Sequence, residues 1–489
     1  MSSSLKLKVR TDSKESVAEY FLRYSDCQPG FKLFPYQNNA ADVDIPANYF
    51  RGIDERLEKA TNYIQKIITK CRPPSDSPSG GTAPSGTTII FTPFTSSYTS
   101  STTTKNFWAL QGIKVNPYGR QGDYIITGTT GSALSSGGTG AVYVGSINGQ
   151  STSSGSGSGQ WINFNAPFAG ADGTSVYGPD ILSRGNGPGG IGKVALVGTW
   201  TKSGSDNIFG FYYEGKLNNL TIAPTRSKGF KSFQATTNLI DPKTKDNLLA
   251  RDTYLHSVDG GYAVGNYSTI PGFANYAINS GFDSGSYVYD PERNSQINAK
   301  YGNDGYDYHS LFGIWKNDNK TYTVSGGASD ETLKNILIGY LDKNKSLGQG
   351  LPQDAVFGKG MIADIDPVTG IVTHQQVYNY NNDPGSDTLT HYEGIYYAGN
   401  GVYEAPFTAV TSSGGTVGIA YMKRQDNGTF SRNALWQTFP TSPDGVLASN
   451  DSVAGPASVG AFLPGNGSFS TYASLSETQT YLNAAQFLL

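Results

Sequence analysis

The stretch Tyr254-Leu-His-Ser-Val-Asp-Gly-Gly-Tyr-Ala-Val-Gly-Asn-Tyr267, followed by Gly285-Ser-Tyr-Val-Tyr-Asp290, decides the fold of this 489-residue chain. It predicts three short strands. The first ends at Gly260-Gly261, the second alternates large and small residues, and the third ends at the turn signal Asp290-Pro291. The same layout recurs beyond about residue 88, so that part of the chain can be interpreted as copies of one unit.

The composition favours many short strands over helices. Only 37% of residues are hydrophobic and 15% are charged, while Gly (61), Tyr (32) and Phe (23) are plentiful. Glycine and aromatic residues with few long aliphatic ones suit strands joined by tight turns. The length allows two to four average domains, or one large all-β domain with a smaller partner.

Charge and cysteine content exclude several classes of protein. A net charge of −3 gives no electrostatic reason to expect nucleic acid as a partner. The two cysteines, Cys27 and Cys71, form no disulfide framework and no zinc-site spacing, so we expect neither metal nor cofactor. The N-terminus has no apolar signal region and no apolar run approaches the ~18 residues of a membrane span. We expect a protein made in the cytosol without a signal peptide.

Residues 1–72 differ from the rest and predict a small helical segment. Leu5–Arg10 could be a strand, and Val17, Tyr20, Phe21 and Tyr24 have the spacing of one helical face. A second helix is predicted from near Pro46 to Cys71, with a heptad-like apolar stripe of Ile53, Leu57, Ala60, Ile64 and Ile67. It could close on the first helix or dock onto a partner. We favour docking, because so short a segment buries little surface alone.

A linker and a repeated domain follow. Residues 73–88 are rich in Pro, Gly and Ser, as linkers are. From residue 89 a second-strand motif recurs six times, with intervals of 70, 67, 61, 79 and 55 residues, at Tyr124–Gly128, Val194–Gly198, Tyr262–Gly265, Tyr322–Gly326, Val402–Ala405 and Ala457–Gly460. A third-strand motif follows each copy, for example Val142–Gly145, and Ile336–Tyr340 in the fourth.

Six copies of about four strands resemble the blades of β-propeller repeat proteins. The resemblance is one of architecture, because Trp-Asp and Kelch signatures are absent. It implies a mainly β fold, a six-bladed propeller over 89–489 preceded by the small N-terminal helical segment. Thr87–Thr92 could supply the missing fourth strand of the last copy and clasp the ring. A pair of β-sandwiches or a solenoid is the alternative.

Candidate site residues fall on the predicted first strands. His256, His309 and His391 each open such a strand, and Asp451 and Ser175 are near-counterparts. Because the innermost strand of a blade lines the central channel, these side chains could converge there and bind a ligand, for instance a metal ion, or one imidazole could act as acid or base. Alternatively, they only bond turns or neighbouring blades. The sequence gives the position of each histidine in its strand only to within about one residue. A shift of one residue would move the side chain to the opposite face of the sheet.

Carboxylates offer a second type of site. Asp180, Asp259, Glu393 and Glu404 lie on or near first and second strands, where a pair facing the channel could hydrolyse a glycoside. The aspartates after third strands belong instead to turn sequences, as at Asp290, Asp342, Asp366 and Asp426.

The favoured function is that of a non-enzymatic, two-part structural protein. Its organisation is similar to that of phage or virus structural and fibre proteins, in which an N-terminal segment docks on the particle and a distal β domain meets a glycan or protein receptor. Residues 1–72 would then bind protein partners, and the protein could also form a homo-oligomer. The alternatives are a scaffold or linker subunit of a large cytosolic complex, and a propeller enzyme acting on polysaccharide.

Overall fold

The computed structural model describes residues 4–10, 17–23, 89–93, 99–100, 103–104, 107–130, 138–147, 159–205, 207–221, 228–241, 243–269, 284–306, 308–329, 358–383, 387–411, 414–439, 445–464 and 470–476. The chain divides into two compact parts, an N-terminal segment (Met1–Ser79) and a C-terminal body (Gly80–Leu489). The division falls within the predicted linker 73–88, whose extent stays a prediction.

In the N-terminal segment a strand replaces the first predicted helix. Strands β1 (Ser4–Arg10) and β2 (Val17–Arg23) pair antiparallel, with Leu5 opposite Leu22 and Leu7 opposite Tyr20. The prediction of a helix over Val17–Tyr24 was therefore wrong. Apolar and charged residues alternate strictly over Leu5–Val9, which is the pattern of a strand with one apolar face. Aromatic residues such as Tyr20 favour pairing across strands with apolar residues. The second predicted helix, with Ile53, Leu57, Ala60, Ile64 and Ile67, lies outside the described residues.

After β3 (Ile89–Pro93) and the short pair β4 (Thr99–Ser100) and β5 (Thr103–Thr104), the described strands of the body fall into antiparallel groups of about four, which we call blades I to VI. One parallel pair, Ile208 with Asp252, joins blades II and III. Blade I is β6 (Phe107–Val115), β7 (Asp123–Thr130), β8 (Thr139–Ser146) and β9 (Gln160–Phe164). Blade II is β10 (Ala171–Arg184), β11 (Ile191–Lys202), β12 (Ile208–Gly215) and β13 (Phe230–Phe233). A hairpin, β14 (Thr236–Ile240) and β15 (Asn247–Leu249), precedes blade III, which is β16 (Asp252–Asp259), β17 (Tyr262–Ser268), β18 (Ser284–Asp290) and β19 (Ser295–Asn298).

The remaining blades repeat the same order. Blade IV is β20 (Tyr308–Lys316), β21 (Tyr322–Ser329), β22 (Lys359–Ile365) and β23 (Val372–Tyr378). Blade V has a divided first strand, β24 (Asp387–Tyr392) and β25 (Tyr396–Gly399), then β26 (Val402–Thr411), β27 (Gly414–Lys423) and β28 (Leu435–Thr438). Blade VI is β29 (Gly445–Ala454), β30 (Ala457–Pro464), β31 (Ser470–Ser476) and, as its fourth strand, β3. Short 3-10 turns lie at Pro188–Gly190, Leu217–Thr221 and Tyr380–Asn382.

The blades form a closed ring. Six clusters of buried side chains each draw on two consecutive blades, and one of them joins Leu110 and Ile126 of blade I to Val459 and Ala473 of blade VI. Because one sheet cannot cover both of its faces, packing each blade on the next is what buries the apolar surface. β3 pairs with β31 from Ile89 opposite Ser476 to Pro93 opposite Tyr472, which is the predicted clasp.

The mainly β propeller fold is confirmed, and one strand position is corrected. The third strand of blade IV is Lys359–Ile365, not Ile336–Tyr340, because Gly360-Met-Ile-Ala-Asp364 leads directly into the turn at Asp366. The total of six blades stays a prediction, since segments such as 131–137 and 330–357 lie outside the described residues. No helix in the described ranges has the length and hydropathy to cross a membrane.

The β3 clasp predicts a sharp dependence on where the body begins. A chain that begins at Gly80 keeps β3, whereas one that begins at Phe94 leaves the edge of β31 unpaired. We expect the shorter chain to melt at least about 10 °C lower or to aggregate, because an unpaired edge strand pairs with other chains. Thermal melts with light scattering compare the two. Equal melting points would show that β3 does not close the ring.

Candidate functional site

Every first strand contains one extra residue near its middle. In blade III, Leu255 pairs with Gly265 and Ser257 pairs with Val264, which leaves His256 as the extra residue. The corresponding extra residues of blades I to VI, which we call the bulge ring, are Gln111, Tyr177, His256, Phe312, Glu393 and Asp451. A β-bulge interrupts pairing and re-aims a side chain. The fold therefore presents six chemically different residues at one level of the ring.

The residue after each bulge is small because neighbouring blades meet there. The set is Gly112, Gly178, Ser257, Gly313, Gly394 and Ser452. A Cβ on Gly112 would lie 1.8 Å from the carbonyl oxygen of Tyr177. Between blades VI and I, the Ile113 amide donates to the Ser452 hydroxyl at 3.2 Å. Backbone packing thus holds the ring together and leaves the bulge side chains available for other roles.

The glycine that recurs in the second-strand motif is also explained by close backbone packing. A Cβ on Gly326 would lie 1.8 Å from the carbonyl oxygen of Ser310, and one on Gly265 would lie 1.9 Å from that of Tyr254. Both carbonyls belong to residues two positions before a bulge residue. The recurring glycine is therefore required by the first strand's close approach.

This contact predicts that Gly326→Ala destabilises the body strongly. The new methyl group must displace backbone, so we expect a loss of about 3 kcal/mol in the free energy of unfolding, measured by urea denaturation. Gly302→Ala is the matched control, because nothing lies within 4 Å of a Cβ there. Similar losses in both variants would contradict the role given to Gly326.

Four of the six bulge-ring residues, Gln111, His256, Phe312 and Glu393, line a small cavity on the central axis. The ring centroids of Tyr177 and His256 are 5.0 Å apart, those of His256 and Phe312 4.1 Å, and those of Phe312 and His391 4.3 Å. The cavity has a volume of about 40 Å³ and is lined by residues of all six first strands, including Gln111, His256, Phe312 and Glu393. A buried water occupies roughly 10–15 Å³ by this measure, so there is room for about three.

Glu393 forms the charged centre of the site. Its Oε1 lies 3.3 Å from Nε2 of His391, and 24% of the Glu393 side chain and 19% of the His391 side chain remain accessible. Its amide donates to the Pro406 carbonyl at 3.1 Å, which fixes the backbone at the bulge. Burial alone would raise the pKa of Glu393, but the His391 imidazole outweighs it by charge and hydrogen bond, so the pKa lies below its usual value.

Two neighbours of Glu393 are uncharged at neutral pH. Burial, followed by the charge of Glu393, raises the pKa of Asp451 to about 8, although a hydrogen bond with Ser449 opposes the rise. Burial lowers the pKa of His256 to about 3. Glu393 and the neutral imidazole of His256 line the cavity, whereas Asp451, with its raised pKa, is not among the lining residues.

A second charged group lies towards the end of the first strands. Nζ of Lys114 binds Oδ1 of Asp180 at 2.6 Å and also binds Asp259, and it lies 5.6 Å from the ring centroid of Trp315. Burial would lower the pKa of Lys114, but Asp259 and Asp180 together raise it, so the lysine is charged. We call Lys114, Asp180 and Asp259 the lysine lock.

The structure brings three of the four predicted ligand-binding residues together. His256, His391 and Asp451 all surround Glu393, with His391 two residues before the bulge. Their role as a ligand site stays a prediction. Glu404, another predicted carboxylate, lies on the second strand β26, 3% exposed and away from the cavity lining.

His309 does not join the other histidines, and the expectation that it would was wrong. Its ring stacks on Tyr301 with centroids 3.6 Å apart, and its Nε2 lies 2.8 Å from Oδ2 of Asp304. The cause is register. In blade IV the bulge falls at Phe312, three residues after His309, so Phe312 takes the axial place that His256 takes in blade III.

Sequence reasoning missed Gln111, Tyr177 and Phe312 as counterparts of His256. A four-residue signature would have found them: an apolar or Asn residue, the bulge residue, Gly or Ser, then Ile, Val or Pro. It occurs as Leu110–Ile113, Val176–Pro179, Leu255–Val258, Leu311–Ile314, Tyr392–Ile395 and Asn450–Val453. Within the described ranges, no three His, Cys, Asp or Glu side chains are grouped so that they could hold a metal ion.

Comparison with known proteins gives no family. No protein-family model matches the chain, and no curated protein matches it. Among solved structures, the chain is similar to an α-L-arabinofuranosidase of Fusarium graminearum (12% identity, 76% of this chain and 92% of that chain, TM-score 0.35) and to a luciferin-regenerating enzyme (11%, 80% and 95%, TM-score 0.36). It is also similar to the N-terminal domain of Nup159 (8%, 81% and 98%, TM-score 0.28). These likenesses are too distant to bear on function.

Proposed function

We propose that the protein is a hydrolase of glycosidic bonds whose reactive centre is the Glu393–Asp451 pair of the bulge ring. The observation that carries this proposal is that two carboxyl groups in electrostatic contact have pKa values shifted in opposite directions, that of Glu393 below and that of Asp451 above its usual value. Two titratable groups whose pKa values are driven apart are the usual basis of paired acid and base roles.

The roles follow from the charges. Glu393 accepts a proton from a water molecule, whose oxygen then bonds to the anomeric carbon. Asp451 donates its proton to the oxygen of the breaking C–O bond, and exchange with solvent restores both groups. His391 keeps Glu393 ionised and oriented through their 3.3 Å contact. Neutral His256 can donate or accept one hydrogen bond without adding charge.

The chemistry of the site favours glycosides over esters or amides. Two carboxyl groups are sufficient for acetal hydrolysis. Acyl transfer by a covalent route usually needs an activated Ser, Cys or Thr nucleophile, and none of the six bulge-ring residues is one.

Packing does not require these carboxyls. Phe312 and Tyr177 occupy equivalent ring positions with aromatic side chains, so the fold accepts apolar groups there. Burying an ionised group without need costs several kcal/mol. Strongly perturbed carboxyls at these ring positions are therefore better explained by chemistry than by structure.

The test is a screen of the full chain against 4-nitrophenyl glycosides and polysaccharides between pH 4 and 9. Release of 4-nitrophenol or reducing sugar that disappears in Glu393→Gln supports the proposal. If correctly folded protein releases neither from any substrate, or if Glu393→Gln retains the activity, the proposal fails.

A second candidate is a non-enzymatic binding protein, which the small cavity favours. Space for about three waters admits an attacking water but not a sugar ring, so in either function a sugar would lie at the channel mouth. Binding of a polysaccharide without its cleavage, measured by calorimetry, would select this function. Docking of residues 1–72 onto a virus particle or cytosolic assembly stays a prediction, because the docking helix lies outside the described residues.

A further inference from the structure

We infer that ligand enters the central channel only from the end at which the first strands begin, and that the lysine lock closes the opposite end. This inference rests on the proposed function in one respect: it names the face of the ring at which the substrate of the Glu393–Asp451 pair binds. The channel closure itself is a property of the fold and can be measured without catalysis.

The far end is closed by one side chain that crosses the axis. Lys114 belongs to blade I, yet its ammonium binds Asp180 of blade II and Asp259 of blade III and lies over Trp315 of blade IV. Trp315 in turn contacts the ring of Tyr396 from blade V, with centroids 5.3 Å apart. Lys114, Trp315 and Tyr396 all line the cavity. Five of the six blades thus contribute to the closure.

The lock is rigid because both carboxylates are fully engaged. The second oxygen of Asp180 accepts from the Gly260 amide at 3.1 Å, and that of Asp259 accepts from the Lys316 amide at 2.6 Å. Charge-assisted hydrogen bonds of this kind are short and strong. Moving Lys114 aside would leave two aspartates unpaired in a buried site, which is strongly unfavourable.

The near end carries smaller side chains. The residues three positions after the bulge residues include three large ones, Lys114, Trp315 and Tyr396, beside Asp180, Asp259 and Ala454. In blades II to VI, the residues two positions before the bulge residues are Ser175, Tyr254, Ser310, His391 and Ser449, three of them serines. Ser310, His391 and Ser449 are half-buried, and His391 with Glu393 retains accessible surface there. Of these residues, Lys114, Trp315 and Tyr396 line the cavity, and none of those at the near end does.

A cysteine at position 393 can report which end admits a reagent. Glu393→Cys is made with Cys27→Ser and Cys71→Ser, and its rate of modification by methyl methanethiosulfonate is measured. Ser310→Trp, and separately Ser449→Trp, narrows the near end. Lys114→Ala with Asp180→Asn opens the lysine lock without leaving two unpaired charges. Thermal midpoints confirm that each variant is folded.

We expect each tryptophan variant to slow modification of the cysteine at position 393 at least about tenfold. Lys114→Ala with Asp180→Asn should change that rate by less than about twofold. The inference fails if opening the lock accelerates modification tenfold, or if neither tryptophan slows it. Because labelling needs no turnover, a protein that hydrolyses nothing but gives the expected rates refutes the proposed function and leaves this inference standing.

Discussion

The Glu393→Gln variant is expected to lose about a thousandfold in turnover on whichever glycoside the protein cleaves, with little change in its melting temperature. Removing a positioned general base typically costs 10²–10⁴-fold, and the amide keeps the shape of the side chain. Initial rates at saturating substrate measure the effect. Glu404→Gln is the matched control, because it makes the same change at a buried carboxyl outside the cavity lining.

The pH profile makes the same prediction more specific. Glu393 must be ionised and Asp451 protonated, so turnover should rise through the lowered pKa of Glu393 and fall near pH 8, where Asp451 loses its proton. Asp451→Asn removes the donor and should lower turnover by a similar factor. A profile that stays flat from pH 5 to 10 in the wild-type protein would contradict these roles.

The second large effect concerns stability. We expect the free energy of unfolding to fall as pH rises from about 4.5 to 8, and Glu404→Gln to remove up to about 5 kcal/mol of that fall. Glu404 is 3% exposed, and its Oε2 has no hydrogen-bond partner among the described residues. Burial raises its pKa to about 8. The folded chain therefore holds a proton that the unfolded chain releases above pH 4.5, and that advantage is lost as pH passes 8.

Urea denaturation at pH 5 and pH 9 measures this dependence. Asp451 titrates in the same direction, so Glu404→Gln reduces the difference between the two pH values without abolishing it. Glu214→Gln is the control, since 46% of the Glu214 side chain is exposed. If the wild-type and Glu404→Gln chains lose equal stability between the two pH values, Glu404 is ionised in the folded protein and the prediction is wrong.

The sequence was sufficient for the strands but not for their local irregularities. All six second strands lie where the motifs at Tyr124, Val194, Tyr262, Tyr322, Val402 and Ala457 predicted them. The clasp by β3 was also predictable, because the last repeat lacked a fourth strand. These features depend on alternation and on repeat length, which the sequence carries directly.

The site depended on a property that alternation does not reveal. A bulge adds one residue to a strand, so side-chain direction after it cannot be counted from the strand's start. For that reason His309 was wrongly grouped with His256, and Phe312 was missed. The pKa shifts of Glu393 and Asp451 could not be predicted either, since they depend on burial and on contacts among blades III, V and VI. In the N-terminal segment, the helical spacing of Val17, Tyr20 and Phe21 gave way to pairing with β1.

The clasp by β3 also sets the timing of folding during synthesis. Ile89 pairs with Ser476, so the first strand of the ring to leave the ribosome stays unpaired until its partner strand is made, about 390 residues later. At about 5–20 residues per second, the interval is roughly 20–80 s. Until then the growing array of blades has an unpaired edge at each end, and closure forms contacts of very large sequence separation, which are slow to form. Nascent chains of this protein should therefore depend on chaperones until the last strand is made.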